Sequence, residues 1–411
     1  MEFLIPYSGK GQTTMNLMFA GSGTGGHLLV GLGVAEEVKM QFPDSKILFF
    51  VTGKDIEIRC VSKRGFEVLP LNASPWKKSV LHIPEFVFRH FKGIFRSLKT
   101  IKQFKPDVVV GLGGYSSVPP LVAALLLGVP YVLLEQNVIP GKANRLMARW
   151  AKGVYSHFPE CGVRISDLGI PHLQVTGTPI RKGILDMDRE KAAKTLKSTK
   201  IIGGLANLFG ELSPFKKTLL VMGGSQGAKS INDVIIQCLP ELEKLSQTLQ
   251  IIHCAGEADY ERVRSSYSKK VINALVCGFL DNIGAAYSLA DLVICRAGAT
   301  TIAEVTAVGI PAVFVPYPYA TDNHQYWNAK AIAEKGGGII IEEAALTPQR
   351  LLKVMSEVLQ DDKRRLKMKN VSKSLGKPDA TTVIVNLICH IIERNTSIGR
   401  QRTLCPLKST M

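Results

Sequence analysis

A short apolar run, Asn16–Ala20, leads straight into Gly21-Ser22-Gly23-Thr24-Gly25-Gly26-His27 and then into a helical pattern. The chain repeats the arrangement at Thr218–Met222, which leads into Gly223-Gly224-Ser225-Gln226-Gly227. It does so again at Leu292–Cys295, before Arg296-Ala297-Gly298-Ala299. A buried strand that ends on glycines and opens a helix is half of a βαβ unit, and such units build a parallel sheet through right-handed crossovers. Further apolar runs predict strands at Lys46–Thr52, Asp107–Val110, Tyr131–Glu135, Leu249–Cys254, Ala274–Gly278 and Ala312–Pro316. Helices are expected over Gly26–Met40 and around Asn323–Lys335.

The alternation stops across residues 183–216, which are Lys-rich and then contain Gly and Pro. They read as a linker with a short helix around Arg189–Lys197. With 411 residues, 46% of them apolar, the chain can support two cores. The expected fold is α/β, with two Rossmann-like doubly wound parallel-sheet domains facing across a cleft. The expected divisions are an extension over 1–14, an N-terminal domain over 15–182, the linker, a C-terminal domain over 217–394 and a flexible basic tail over 395–411.

A formal charge of +17 is compatible with nucleic acid, an anionic membrane or phosphorylated substrates, and does not choose among them. No pair of the eight cysteines has CxxC spacing, so reduced thiols in a cytosolic protein are expected. Met1–Met15 shows no secretory signal. The run Val108–Leu134 carries no charge, but Gly111, Gly113, Gly114, Pro119, Pro120, Gly128 and Pro130 interrupt it. A buried strand–turn–helix–strand is expected there rather than a membrane span.

Glycines at the first turn let backbone approach a ligand, and the helix start offers free N–H groups to an anion. The turn lacks the Gly-Lys-Ser/Thr ending of a triphosphatase loop. Val51-Thr52-Gly53 supplies no acid for a dinucleotide ribose, which disfavours a dehydrogenase. A tight βα connection with no ligand remains open. At the third turn, Thr300 and Thr301 suit phosphate, and Glu304 suits either a ribose diol or a first-turn position favoured by the helix dipole. Glu135-Gln136-Asn137 and Asp322-Asn323-His324-Gln325 stand at strand ends, where carboxamides can bind sugar hydroxyls or serve as loop and cap residues.

Taken in order, these motifs carry a resemblance. The chain has Gly-Thr-Gly-Gly-His27, Gly113-Gly114-Tyr115-Ser116, Glu135-Gln136-Asn137, Gly177-Thr178-Pro179-Ile180-Arg181 and Gly223-Gly224-Ser225-Gln226-Gly227. Arg296-Ala297-Gly298-Ala299 and Asp322-Asn323-His324-Gln325 follow. From about Asn16 to Arg394 the set resembles the bacterial UDP-N-acetylglucosamine–undecaprenyl-pyrophosphoryl-muramyl-pentapeptide N-acetylglucosaminyltransferases, which make lipid II for peptidoglycan.

The resemblance implies an inverting GT-B glycosyltransferase. The undecaprenyl-linked muramyl-pentapeptide would sit on the N-terminal domain and UDP-N-acetylglucosamine mainly on the C-terminal one, with transfer to the muramyl C4 hydroxyl. It implies Thr24, Gly25 and Gly26 near donor and acceptor phosphates, Asn137 on the donor sugar, and Arg181 and Ser225 on the diphosphate. Backbone at Leu280 would meet uracil. Ala299, Thr300, Thr301, Ile302, Ala303 and Glu304 would wrap phosphate and ribose, with Glu304 on the ribose hydroxyls, and His324 and Gln325 would reach the sugar hydroxyls. His27 is the candidate general base; the alternative is that it only positions a phosphate. No cofactor and no metal are implied. Asp186-Met187-Asp188 matches a loose metal-binding DxD pattern but lies in the linker and reads as coincidence.

Three departures from the family pattern stand out. Val30 replaces a proline, Thr178 replaces an asparagine, and the linker is long.

Between Trp76 and Lys105 there are eight Lys or Arg and one acidic residue, Glu85. Phe88, Phe91 and Phe95 share a helical face, beside Arg89, Lys92 and Arg96. A basic amphipathic helix of this kind suits an anionic bilayer surface, so the cytoplasmic face of the cell membrane is the expected location, with peripheral attachment. Core packing of a surface helix is the alternative. No nucleic-acid signature appears, and none is expected as a partner. The rival functions are a UDP-N-acetylglucosamine 2-epimerase, which would need acidic acid/base groups, and a non-catalytic nucleotide-sugar-binding module.

Overall fold

The computed structural model describes residues 14–21, 25–71, 83–161, 172–185, 187–198, 206–224 and 227–403. The chain forms two units. One comprises Met1–Gln136, Pro140–Pro179 and Asp379–Met411; the other comprises Asn137–Ile139 and Ile180–Pro378.

The first unit is built on seven strands: β1 (Asn16–Ala20), β2 (Lys46–Val51), β3 (Glu67–Pro70), β4 (Val108–Gly111), β5 (Tyr131–Glu135), β6 (Gly153–Ser156) and β7 (Leu173–Val175). Their order is β3-β2-β1-β4-β5-β6-β7, and every pairing is parallel. The central strands are buried on both faces, as a sheet covered by helices requires. The helices are α1 (Gly25–Gln41), α2 (Asp55–Ser62), α3 (Ile83–Phe104), α4 (Val118–Leu126) and α5 (Lys142–Met147). On one side, Leu17, Phe19, Val30, Val34, Phe49 and Val110 pack together, with Phe19 and Phe49 stacked at 4.7 Å. Each such side chain contributes roughly 1.5–3 kcal/mol. On the other side Met18, Phe50, Val109, Leu121 and Leu133 form a second layer.

The uncharged run Val108–Leu134 resolves into β4, a turn, α4 and β5. Gly113 and Gly114 bend the turn with φ of 92° and 77°. Pro119 and Pro120 start α4, where their missing N–H groups cost nothing. No helix among the described residues is long and apolar enough to cross a membrane.

The second unit opens with α6 (Arg189–Ser198) and contains a second seven-stranded sheet. Its strands are β8 (Ala206–Phe209), β9 (Lys217–Met222), β10 (Leu249–Cys254), β11 (Ala274–Cys277), β12 (Leu292–Cys295), β13 (Ala312–Phe314) and β14 (Gly338–Ile340). The order is β14-β13-β12-β9-β10-β11-β8, parallel throughout except for β8, which pairs antiparallel with β11. Its helices are α7 (Lys229–Glu243), α8 (Tyr260–Tyr267), α9 (Ile283–Leu289), α10 (Ala299–Val308), α11 (His324–Ala333), α12 (Pro348–Leu359) and α13 (Asp362–Leu375).

The last helix, α14 (Ala380–Thr403), differs from the sequence reading in two ways. It groups with the first unit, where Ile384, Val385, Ile388, Cys389 and Ile392 join the core beside α1. Their spacing makes an apolar stripe that needs a partner, and α1 supplies one. The stretch from Asn395, expected to be a flexible tail, also continues as helix to Thr403. Residues 1–13, most of the expected extension, lie outside the described residues, as do 199–205 of the linker and 404–411.

Candidate active site

Each sheet has a switch point, the place where strand order reverses and loops on either side diverge to leave a crevice. In the first sheet it lies between β1 and β4, and in the second between β9 and β12. The glycine turns read from the sequence leave these strands.

In the first unit the turn after β1 meets the turn after β4. Gly21 has φ of 117°, and a Cβ there would collide with the Gly113 carbonyl. Only glycine lets the two backbones lie against each other. His27, in the first turn of α1, comes to the same place: its Nε2 lies 3.8 Å from where a Gly113 Cβ would stand. Asn144 of α5 comes close too, with Nδ2 at 3.5 Å from that point. Asn144 is held by Glu135, whose Oε2 accepts from Asn144 Nδ2 at 2.8 Å and from the Gly141 amide at 2.9 Å. Glu135 and Gln136 are both buried, and Gln136 Nε2 donates to the Leu134 carbonyl. The carboxylate therefore braces the β5–α5 loop. Gly25 and Gly26 form the start of α1, whereas Thr24 lies outside the described residues. Val30 is fully buried, and Thr178 is buried with no hydrogen-bond partner for its hydroxyl among the described residues.

In the second unit the loop after β9 is equally tight. A Cβ on Gly223 would collide with Ala228, and one on Gly227, at φ of 76°, with the Ala255 carbonyl. Ser225 lies outside the described residues, as does Asp186 of the DxD pattern. Across the switch point, α10 begins at Ala299 after Gly298, which has no side chain to cap it. The first-turn N–H groups of Ala299, Thr300 and Thr301 thus lack partners within the helix and stand at the positive end of the dipole. Ile302 and Ala303 are buried behind them.

Glu304, 4% exposed, does not reach solvent freely. Arg181 Nε donates to its Oε1 and Nη2 to its Oε2, both at 2.7 Å, and the Tyr287 hydroxyl donates to Oε2 at 3.0 Å. Burial alone would lower the Arg181 pKa, but the hydrogen bonds and charge of Glu304 override it and hold the guanidinium protonated. The two residues assigned from the resemblance to different parts of a nucleotide thus bind each other. Leu280, buried at 3% exposure, stands between β11 and α9.

Three further groups to which the sequence assigns no role shape the site. Asn328 of α11, fully buried, accepts from the Val138 amide at 2.9 Å and donates to Asn137 Oδ1 at 3.0 Å. It fixes the Asn137 carboxamide. Arg296 pairs with Glu343 and donates to Ser230 and to the carbonyls of Val315 and Pro316, anchoring the β13–α11 loop. Tyr287 is the third. In the loop itself Asp322 and Asn323 both adopt φ of 52°, a strained conformation for non-glycine residues. The next two residues are each held by the loop: His324 Nδ1 contacts the Thr321 carbonyl at 2.8 Å, and Gln325 Oε1 accepts from the Tyr317 amide at 2.9 Å. A proton on His324 Nδ1 leaves Nε2 as an acceptor.

On α3, Phe88, Phe91 and Phe95 are 68%, 58% and 69% exposed, so they are not core residues of this unit. Arg89 pairs with Glu85 at 2.7 Å, Lys92 is exposed, and Arg96 donates to the Pro70 carbonyl at 2.7 Å. The helix is held by its opposite side, where Gly93 packs against Pro119 of α4. Leu126 of α4 and Leu146 of α5 are also exposed.

Comparison with known proteins follows the two units. Residues 17–156 match the glycosyltransferase family 28 N-terminal domain, and residues 218–384 match the glycosyltransferase family 28 C-terminal domain. The UDP-N-acetylglucosamine--N-acetylmuramyl-(pentapeptide) pyrophosphoryl-undecaprenol N-acetylglucosamine transferase of Halothermothrix orenii is 38% identical over 381 residues, 91% of this chain and 98% of its own. The protein of the same name from Thermodesulfovibrio yellowstonii is 36% identical over 92% of this chain and 100% of its own. Among solved structures, Acinetobacter baumannii MurG superposes with a TM-score of 0.70 at 29% identity, covering 92% of this chain and 99% of its own. A Neisseria meningitidis UDP-GlcNAc 2-epimerase reaches 0.62 at 16% identity over 92% of this chain and 100% of its own, a likeness of fold alone.

Proposed function

The chain belongs to the glycosyltransferase family 28 enzymes named UDP-N-acetylglucosamine–N-acetylmuramyl-(pentapeptide) pyrophosphoryl-undecaprenol N-acetylglucosamine transferases, and from that premise we infer the reaction and the residues that serve it. The enzyme transfers N-acetylglucosamine from UDP-N-acetylglucosamine to the undecaprenyl-linked muramyl-pentapeptide, forming lipid II. The observation that carries this reading is 36–38% identity across nearly the full length of both chains. The acceptor's C4 hydroxyl attacks the anomeric carbon as the bond to UDP breaks, so one displacement inverts that centre.

Two charges develop in this step, and each calls for its own groups. The departing diphosphate becomes more negative. The open N-terminus of α10, the Ser225 hydroxyl and the Arg181 guanidinium are the groups we assign to it, since preorganised donors stabilise charge without reorganisation. Thr24, Gly25 and Gly26 serve the donor and acceptor phosphates. Glu304 takes the ribose hydroxyls, backbone at Leu280 the uracil, and Asn137, His324 and Gln325 the donor sugar. The attacking hydroxyl loses its proton to His27. Its position over the Gly113 turn, at the switch point of its sheet, supports that role. An epimerase would need acidic acid/base groups. The acid beside this turn, Glu135, is instead committed to Gly141 and Asn144, which favours the transferase.

We further propose that the enzyme works at an anionic membrane surface, held there by Phe88, Phe91 and Phe95 with Arg89, Lys92 and Arg96. Three exposed phenylalanines on one basic helix bury little against their own unit, and a lipid-linked acceptor requires access to a bilayer. The reaction is tested by following UDP release with and without muramyl lipid: release that depends on the lipid supports the transferase.

A further inference from the structure

Tyr287 touches no residue assigned to the acceptor, yet it is tied to the centre of the proposed nucleotide site. It lies on α9, fully buried, with its hydroxyl 3.0 Å from Glu304 Oε2. The other atom within reach, Met222 Sδ at 3.7 Å, is a weak acceptor, so the hydroxyl hydrogen goes to the carboxylate. Burial and the adjacent Glu304 push the phenol pKa well up, which keeps it a donor at working pH.

Among the described residues, Glu304 receives its hydrogen bonds from Arg181 and Tyr287 alone. A carboxylate offers about four lone-pair sites, and three are occupied here. A ribose diol brings two more donors, so it cannot be accommodated while Arg181 keeps both of its bonds. A diphosphate arriving beside Arg181 resolves the conflict: the guanidinium exchanges carboxylate for phosphate, and two acceptor sites open. After that exchange the carboxylate would be free to turn, unless something else holds it.

We propose that Tyr287 is the positioning residue for ribose recognition, its hydroxyl holding the Glu304 carboxylate in place once Arg181 has moved to the diphosphate. The inference rests on the reading of Glu304 as the ribose acceptor. The fold supports it in a second way. Tyr287 follows Leu280 in one segment, the β11–α9 connection and helix, so base and ribose contacts are set by a single element. That element is braced: Asn282 caps α9 by accepting from the Ala285 amide, and Gly284 packs so closely on Gly183 that a Cβ would lie 2.9 Å from its carbonyl.

The test compares kcat and KM for UDP-N-acetylglucosamine and for its 2′-deoxyribose analogue in wild type, Glu304→Ala and Tyr287→Phe. Wild type should prefer the ribose donor by about 10–100-fold in kcat/KM, the usual worth of a hydrogen bond to a charged group. Glu304→Ala should abolish the preference. Tyr287→Phe should reduce it by about tenfold, through KM for the ribose donor rather than kcat. Phenylalanine keeps the ring and its packing, and a ratio of two donors on one preparation is unaffected by the fraction folded. A wild-type preference in Tyr287→Phe, with loss of preference in Glu304→Ala, overturns the role of Tyr287 and leaves the ribose reading standing. An undiminished preference in Glu304→Ala overturns the ribose reading and the proposal with it.

Discussion

Arg181 and Glu304, 123 positions apart, meet in a two-pronged ion pair with both N–O distances at 2.7 Å. The glutamate side chain is 6% exposed and that of the arginine 33%. The pair ties the start of the second unit to the helix after β12. Removing one partner of such a pair strands the other's charge, which costs about 3–5 kcal/mol in full burial and less here because Arg181 is partly wet. Arg181→Met should lower unfolding free energy by about 2 kcal/mol and weaken UDP binding, and a second change, Glu304→Gln, should restore most of the stability but not the binding. Chemical denaturation and calorimetry with UDP separate the two effects.

His27→Ala should reduce kcat by about 10²–10⁴-fold, the range of general base catalysis, with little change in KM for UDP-N-acetylglucosamine. Steady-state kinetics on the purified variant decide this. Near-normal turnover would remove His27 from proton transfer.

The loop after β9 offers a comparison between two glycines. Gly224 has φ of 87° and, among the described residues, nothing within 4 Å of its Cβ position, so Gly224→Ala should cost only the left-handed backbone term, about 1 kcal/mol. Gly227 has φ of 76° and would drive a Cβ into the Ala255 carbonyl, so Gly227→Ala should cost clearly more and also disturb the loop. Urea unfolding of the two variants side by side reads the difference.

His253 gives a pH dependence with a defined window. It is fully buried between Tyr267 and Asn232, and burial pulls its pKa from 6.5 down to about 3, against the attraction of Asp259. Below pH 6.5 the unfolded chain takes up a proton that the folded chain refuses, so stability falls as pH falls from 6.5 towards 3. By pH 5 this one site should cost about 2 kcal/mol. Asp259, Glu243 and Asp362 have pKa values lowered by their hydrogen bonds and cations, so their contributions are lost only at more acid pH. His253→Gln should flatten the loss between pH 6.5 and 5 in urea titrations.

Replacing Phe88, Phe91 and Phe95 by serine should abolish sedimentation with anionic vesicles while leaving the melting temperature nearly unchanged, since these side chains are exposed. Neutralising Arg89, Lys92 and Arg96 should weaken binding and its salt dependence. Binding that survives both changes would place the membrane contact elsewhere.

Much of the fold was legible because its central strands are unbroken apolar runs. Asn16–Ala20, Tyr131–Glu135, Leu249–Cys254 and Leu292–Cys295 fall where the pattern puts them. Edge strands were not legible: Glu67–Pro70 and Leu173–Val175 are short and partly exposed, so no hydrophobic period marks them. The strand Ala206–Phe209 runs antiparallel inside what reads as a linker, and only its partner β11 defines it. The assignment of α14 to the first unit was not legible either, because only its packing on α1 reveals which core it completes. At the site, the glycine turns announced the switch points. Asn328 and Tyr287 belong to no motif, and Arg296, visible in the third turn, shows no role there, because each acts through a tertiary contact with residues distant in sequence.

This chain moves N-acetylglucosamine from UDP onto a muramyl lipid. Incubation with UDP-N-acetylglucosamine labelled in the sugar, plus the undecaprenyl-linked muramyl-pentapeptide, tests it most directly. Label should appear in the lipid fraction, dependent on acceptor and lost in His27→Ala. Label recovered as free N-acetylmannosamine, with none in lipid, would contradict it.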